Sequence, residues 1–285
     1  MLDAKKPKPP YILEYHPYSE YALLIQWPQI VSENILEDLS AFKKVLQNNY
    51  PDAILTAAYA SILAVFPQRI TSFPFLKAQI KKDYELFSEE KIKEHLDPKD
   101  QSKKIKNTIK KAKNTIKTIP AQKILYKIPV CYEASFAPDL EAVCTQLKLS
   151  PEALISKHSK ATYTVYGIGF LPGFMYLGGL DSKLEIPRKS SPRMKVPSGS
   201  VGLAAKQTGI YPCESPGGWQ LIGQTPIPLF NPLQDPPFFA QVGDKIQFTP
   251  ISKDAYKLLQ IQVAAGIYKI EKTIYTKPWN QKPHD

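Results

Sequence analysis

The sequence predicts an α+β chain in which a small N-terminal α/β sandwich precedes a turn-rich β domain of closed-barrel or sandwich type. Two observations carry this. All 13 glycines fall between Gly167 and Gly266, and none occurs in the first 166 residues. Glycine supplies positive φ and close backbone approach, so tight turns are concentrated in the C-terminal part. Before that boundary, strand-like and helix-like periodicities alternate. After it come short strands separated by turn signals.

The elements follow in order. Tyr21–Trp27 alternates as a strand does. Ser32 is placed to N-cap a helix whose Ile35, Leu36, Leu39, Phe42, Val45 and Leu46 form one apolar stripe, and Pro51 stops it. Ala53–Phe66 reads as two short strands or one bent strand. Pro74 opens a second helix with Phe75, Leu76, Ile80, Tyr84 and Phe87 inward. Residues 1–98 then form the N-terminal domain, 99–123 a lysine-rich insert and 124–285 the barrel domain. The strand Ile124–Val130 stands at that border, with pairing to the N-terminal domain as an alternative. Pro138–Lys148 is a helix with Leu140, Val143, Cys144 and Leu147 on one face. Ser150-Pro151 caps a further helix ending near His158. Val201–Ala205, Trp219–Ile222, Lys245–Thr249 and Tyr268–Tyr275 are the strand candidates beyond.

Composition excludes several classes. Apolar residues at 43% and charged residues at 22% are ordinary for a globular chain. The net charge of +11 suggests nucleic acid until it is located. Lys99–Lys127 holds ten lysines against one acid, so most of the excess lies in the insert, which lacks the arginines and interleaved aromatics of a base-reading surface. That insert repeats Lys-Asn-Thr-Ile-Lys at 106–110 and 113–117 and reads as a solvated helical extension. Three cysteines without a C-x-x-C pair and four scattered histidines give neither a disulfide framework nor a metal site. The N-terminus shows no signal-peptide pattern, and the longest apolar run falls short of the roughly 20 residues a membrane span needs. The expectation is a cytoplasmic protein with no nucleic-acid or membrane partner.

The residues that could carry chemistry cluster in the glycine zone. Gly167-Ile-Gly-Phe-Leu-Pro-Gly-Phe-Met-Tyr176 is followed by Pro187-Arg188, Pro192-Arg193, Val196-Pro-Ser-Gly-Ser-Val201, Gln207-Thr-Gly-Ile-Tyr-Pro212 and Ser215-Pro-Gly-Gly-Trp219. Rigid turns would hold Phe170, Phe174, Tyr176, Tyr211 and Trp219 as an apolar floor. Arg188 and Arg193 would add forks for a carboxylate or phosphate, or else a surface salt bridge. His158 has the chemistry of a general base and equally that of a helix-ending structural residue. Ser198, Ser200 and Ser215 lie in no nucleophile elbow, so their hydroxyls are expected to brace turns, with Ser200 or Thr208 able to bond a ligand. Cys213 is read as inert. No phosphate loop or dinucleotide fingerprint occurs.

These blocks resemble the 5-oxoprolinase B-subunit family, also described as allophanate hydrolase subunit 1-like and including a sporulation-kinase inhibitor. The similarity runs from about Tyr11 to Tyr275, broken near Leu86–Lys123. The resemblance implies a cyclophilin-like barrel after the α/β domain. It also implies a C-type partner protein (kinase inhibitor antagonist-like) and a third oxoprolinase subunit, with ATP and Mg2+ bound jointly, for opening 5-oxoproline to glutamate. The arginines would then hold anionic oxygens, the aromatic floor the ring, and Gln207 and Thr208 its polar groups. The inhibitor members imply an alternative, a module whose aromatic groove clamps a sensor histidine kinase. Residual prolyl isomerase activity would rest on barrel analogy alone.

Overall fold

The computed structural model describes residues 10–95 and 122–275. The repeat at 106–117 and the rest of the lysine-rich insert up to residue 121 lie outside them. The chain divides into two compact units, Met1–Ala121 and Gln122–Asp285.

In the first unit, β1 (Glu14–Ser19) and β2 (Ala22–Gln26) form a hairpin, α1 (Glu33–Asn49) follows, and β3 (Ile54–Ala58) and β4 (Ser61–Val65) form a second hairpin before α2 (Phe73–His95). The sheet order is β1-β2-β4-β3, antiparallel throughout. The alternation in β2 and β4 places Leu23, Ile25, Ile62 and Ala64 in one core with Ile35, Leu39, Phe42 and Leu46 of α1 and Ile80 and Tyr84 of α2. The run Ala53–Phe66 is thus two strands, turned at Tyr59 with φ 54°. Phe75 corrects the α2 reading: it is 66% exposed. At 3.6 residues per turn it lies roughly 140° around the helix from Ile80, outside the apolar stripe. The core also contains one carboxylate, Asp38, which accepts bonds from Trp27 Nε1 (2.9 Å), Tyr84 Oη (2.7 Å) and Lys91 Nζ (3.1 Å).

The second unit is a closed barrel. Its elements are β5 (Ile124–Cys131), α3 (Leu140–Leu147), α4 (Pro151–Lys160), β6 (Tyr163–Ile168), β7 (Met175–Gly178), β8 (Arg193–Val196), β9 (Ser200–Ala204), β10 (Gln207–Ile210), β11 (Ser215–Gly217), β12 (Gln220–Gln224), β13 (Lys245–Ile251), α5 (Lys253–Ala264) and β14 (Glu271–Ile274). Seven strands run β12-β9-β10-β7-β6-β13-β5, and the Gln224–Cys131 pairing closes the ring. β14 lies along β5, while β8 and β11 make a separate two-stranded ribbon. β5 pairs in parallel with β13 from Leu125 to Cys131, so this strand belongs to the barrel and not to the N-terminal sheet. Inward side chains such as Ile128, Val165, Leu177, Leu203, Ile210 and Phe248 fill the interior, as a small barrel requires. Ser150 Oγ accepts the Ala153 N–H at 3.2 Å, with Pro151 in the first turn, so the cap of α4 forms as read. α5 is not legible from periodicity, because Tyr256 is the one buried residue it offers. Among the described residues no helix is long and apolar enough to cross a membrane.

Candidate functional site

Strand alternation sorts the candidate residues onto opposite faces of the barrel wall. On β10, Ile210 and Thr208 face the interior, so Gln207 and Gly209 face outward. On β7 Tyr176 is outward, on β9 Gly202 and Ala204, and on β12 Leu221. Cross-strand register aligns Tyr176, Gly209, Gly202 and Leu221 in one row over four strands. The two central glycines leave a trough, and Trp219 occupies it. A Cβ on Gly209 would stand 2.8 Å from the Met175 carbonyl oxygen and 2.9 Å from Trp219 Cζ3.

Around Trp219 the other aromatics form a second cluster. Phe174 meets the Trp219 ring edge-on at 5.6 Å and Tyr211 at 5.3 Å, and tilts against Tyr176 at 4.8 Å. Val196 of the ribbon joins this second core. Phe174, Tyr211 and Trp219 are buried, whereas Tyr176 is half-buried. Phe170 is 65% exposed, reaches Phe174 at 5.6 Å, and holds a left-handed backbone with φ 72°. That conformation is costly for a bulky side chain. Burial raises the pKa of both the Tyr176 and Tyr211 hydroxyls; Arg188 acts against that shift at Tyr176, and at Tyr211 the Trp219 N–H, Arg188 and Arg193 do.

The two arginines part company. Arg188 is exposed and lies over the Trp219 ring, 5.9 Å from its centroid. No carboxylate of the described residues is within ion-pair reach of it. Arg193 is committed elsewhere: its Nη2 bonds Asp139 Oδ1, which Lys189 Nζ also approaches at 3.3 Å. The other Asp139 oxygen accepts the Leu221 N–H at 2.7 Å. Burial alone would raise the Asp139 pKa, but Arg193, the Leu221 amide and Lys189 outweigh it and hold the carboxyl below its ordinary range. Arg193 is therefore a structural ion pair rather than a free fork, with Nη1 buried and unpartnered among the described residues.

His158 is not at this face. It is fully buried inside the barrel, stacked on Phe248 at 4.5 Å. Thr208 Oγ1 donates to the Gly202 carbonyl, so His158 Nε2–H must donate to Thr208, at 3.0 Å. Nδ1 is then the acceptor of the Tyr132 O–H, at 2.7 Å. Burial lowers the imidazole pKa to about 3. A neutral ring with both nitrogens occupied has no route to a substrate, and Thr208 is spent on the same chain of bonds. Ser200 is 3% exposed at the start of β9, and Ser198 Oγ donates to the Pro212 carbonyl at 2.9 Å. The Ser198 hydroxyl braces the Pro197–Ser200 turn, where Gly199 has φ +79° and a Cβ would collide with the Thr225 carbonyl oxygen. Gln207 is half-buried on the outer face. Among the described residues no group of three His, Cys, Asp or Glu could hold a metal.

Sequence reasoning missed Asp139 and Lys189. Asp139 follows Pro138 at the mouth of α3 and resembles a helix-starting acid, with no local sign of its long-range bonds. Lys189 directly follows Arg188, and that adjacency was the available signal.

Comparison with known proteins gives the context. The model of the carboxyltransferase domain, subdomain C and D, matches residues 13–240. The chain is 51% identical over 132 residues to a Bacillus subtilis protein named as the B subunit of 5-oxoprolinase, covering 46% of this chain and 55% of that one. It is 46% identical over 124 residues to the Escherichia coli O157:H7 protein of the same name, covering 44% and 57%. The matches thus span little more than half the length of these curated relatives. The crystal structure of the K. lactis urea amidolyase shares the fold, with a TM-score of 0.70 at 17% identity, over 95% of this chain and 17% of that one. The resemblance read from the motif blocks is borne out by these relatives. Matched along 13–240, the chain belongs to the family of the carboxyltransferase domain, subdomains C and D.

Proposed function

We propose that this chain is the B subunit of an ATP-dependent 5-oxoprolinase that opens 5-oxo-L-proline to L-glutamate together with partner subunits, in the cytoplasm. The observation that carries the reading is Arg188, an exposed guanidinium held on the Trp219 face without a carboxylate partner among the described residues. 5-Oxoproline is a small, flat lactam bearing one carboxylate. Its ring suits the half-buried Tyr176 at the edge of the Trp219 cluster, and its carboxylate suits a bidentate bond to the exposed Arg188. The names of the relatives point to the same substrate.

The lactam amide resists direct hydrolysis, and the site offers no activated nucleophile. ATP with Mg2+ would supply the activation, by phosphorylating the amide oxygen. The residues here do not fit the nucleotide: Lys189 and Arg193 Nη2 are engaged by Asp139, Arg193 Nη1 is buried away from the surface, and that carboxylate is saturated by them and the Leu221 amide. We assign ATP and its metal to the partners, a C-type protein and a third oxoprolinase subunit, and derive no step from this chain toward them. What this chain does is bind, orient and desolvate one face of the lactam.

The purified chain mixed with both partner subunits, ATP, Mg2+ and 5-oxoproline is expected to release glutamate and phosphate. Absence of turnover from the complete mixture would overturn the reading. In that assay Arg188→Ala is expected to raise KM by roughly tenfold or more, the effect of losing a charge-assisted bond. An unchanged KM would remove Arg188 from the site.

A further inference from the structure

We infer that Asp139 is a positioning residue, which holds the Arg188 guanidinium over Trp219 without touching the ligand. The inference rests on the proposed reading for the role of Arg188, but its geometry stands independently. Asp139 is 4% exposed and lies at the N-terminus of α3, far in sequence from the site. It is fixed to β12 by two bonds, Asp139 N–H to the Leu221 carbonyl at 3.0 Å and the Leu221 N–H to Asp139 Oδ2 at 2.7 Å. Its other oxygen receives Lys189 and Arg193, so one carboxylate pins both ends of the segment 189–193.

Arg188 is the residue immediately before that pinned segment. The Lys189 N–H donates to the Gly218 carbonyl at 2.7 Å, and Gln220 Nε2 donates to the Pro187 carbonyl at 3.2 Å. The backbone around Arg188 is therefore stitched to the residues flanking Trp219. The Lys189 side chain adds the tie to Asp139. Arg188 is exposed, and a long side chain there would otherwise sample many rotamers. Fixing its backbone removes the main-chain freedom that would carry the guanidinium away from the indole face, where the cation–π contact holds it. Asp139→Asn is the informative substitution. The amide oxygen can still accept from Leu221, but an N–H donor then faces two cations, and both ends of the segment are released.

The test needs no substrate. The Trp219 indole N–H resonance is assigned in the wild type, Arg188→Ala, Asp139→Asn and the double variant. Removing Arg188 shifts that resonance. Asp139→Asn is expected to shift it most of the way toward the same position, and the double variant is expected to coincide with Arg188→Ala. A folded Asp139→Asn whose Trp219 resonance stays at the wild-type position overturns the inference, and so do additive shifts. If Asp139→Asn fails to fold, Lys189→Met frees one end of the segment alone and is expected to move the resonance in the same direction; no movement overturns the inference. In the complete enzyme, Asp139→Asn is expected to raise KM about tenfold with kcat little changed, and to add nothing in the Arg188→Ala background. Failure of turnover in the wild-type mixture would count against the substrate and leave the Trp219 measurement decisive for Asp139.

Discussion

His158 is a buried base whose environment favours the neutral form. Its pKa of about 3 in the folded chain lies below the ordinary value of 6.5 because burial penalises the imidazolium. On acidification the unfolded chain therefore takes up this proton first. The contribution is complete above about pH 6.5 and is lost progressively as the pH falls toward 3. The thermal midpoint is expected to drop between pH 7 and pH 4. His158→Gln is expected to lower the midpoint at pH 7, through the lost Tyr132 and Thr208 bonds, and to show a smaller further drop on acidification. Equal drops in the two proteins would contradict the assignment. The same residue shows a limit of sequence reading: catalytic and structural histidines look alike until burial and both ring partners are known.

The elements of the site are held by close approach rather than by hydrogen-bonded repeat alone. Trp219 lies in a trough that exists because Gly209 and Gly202 stand in adjacent strands at matching register. Gly209→Ala would place a methyl against both the Met175 carbonyl and the indole. Overpacking of this kind costs about 1–3 kcal/mol, and neither neighbour here is the free end of a flexible chain. Urea unfolding is expected to show that loss, with a change in Trp219 fluorescence. Wild-type stability in the variant would mean that the ring can leave the trough freely. The glycine cluster was legible in the sequence as turn density, but two of its members serve a flat strand pair instead. Their role depends on register, which depends on pairings between segments that are not neighbours in the chain.

On the scale of the whole molecule, the chain has separate cores. The aromatic and aliphatic cluster around Phe42 and Tyr84 draws on the first unit, and the barrel interior and the Trp219 cluster draw on the second. A domain with its own core is expected to fold alone. A fragment comprising 122–285 is expected to give a cooperative thermal transition and the near-ultraviolet dichroism of ordered aromatics. A fragment without such a transition would show that the barrel needs the first unit. On the proposed reading the outer face offers Arg188 to a carboxylate beside the aromatic cluster, so turnover is expected only once the partner subunits are added.

The sequence by itself determined the α+β order of the chain, the stripes of α1 and α3, the capping of α4 by Ser150, and the ordered Pro, Gly, aromatic and Arg blocks that mark the family. These are local patterns, set by periods of 3.6 and 2 and by turn chemistry. The tertiary structure alone decided which of those blocks share a surface. It put Phe174, Tyr176, Tyr211, Trp219 and Arg188 together, turned Thr208 and His158 inward, and bound Arg193 to an aspartate 54 positions away. Strand alternation gives each residue one of two faces, and a single-residue difference in register exchanges them. That choice is made by long-range pairing and by burial of charge, neither of which leaves a local mark in the sequence.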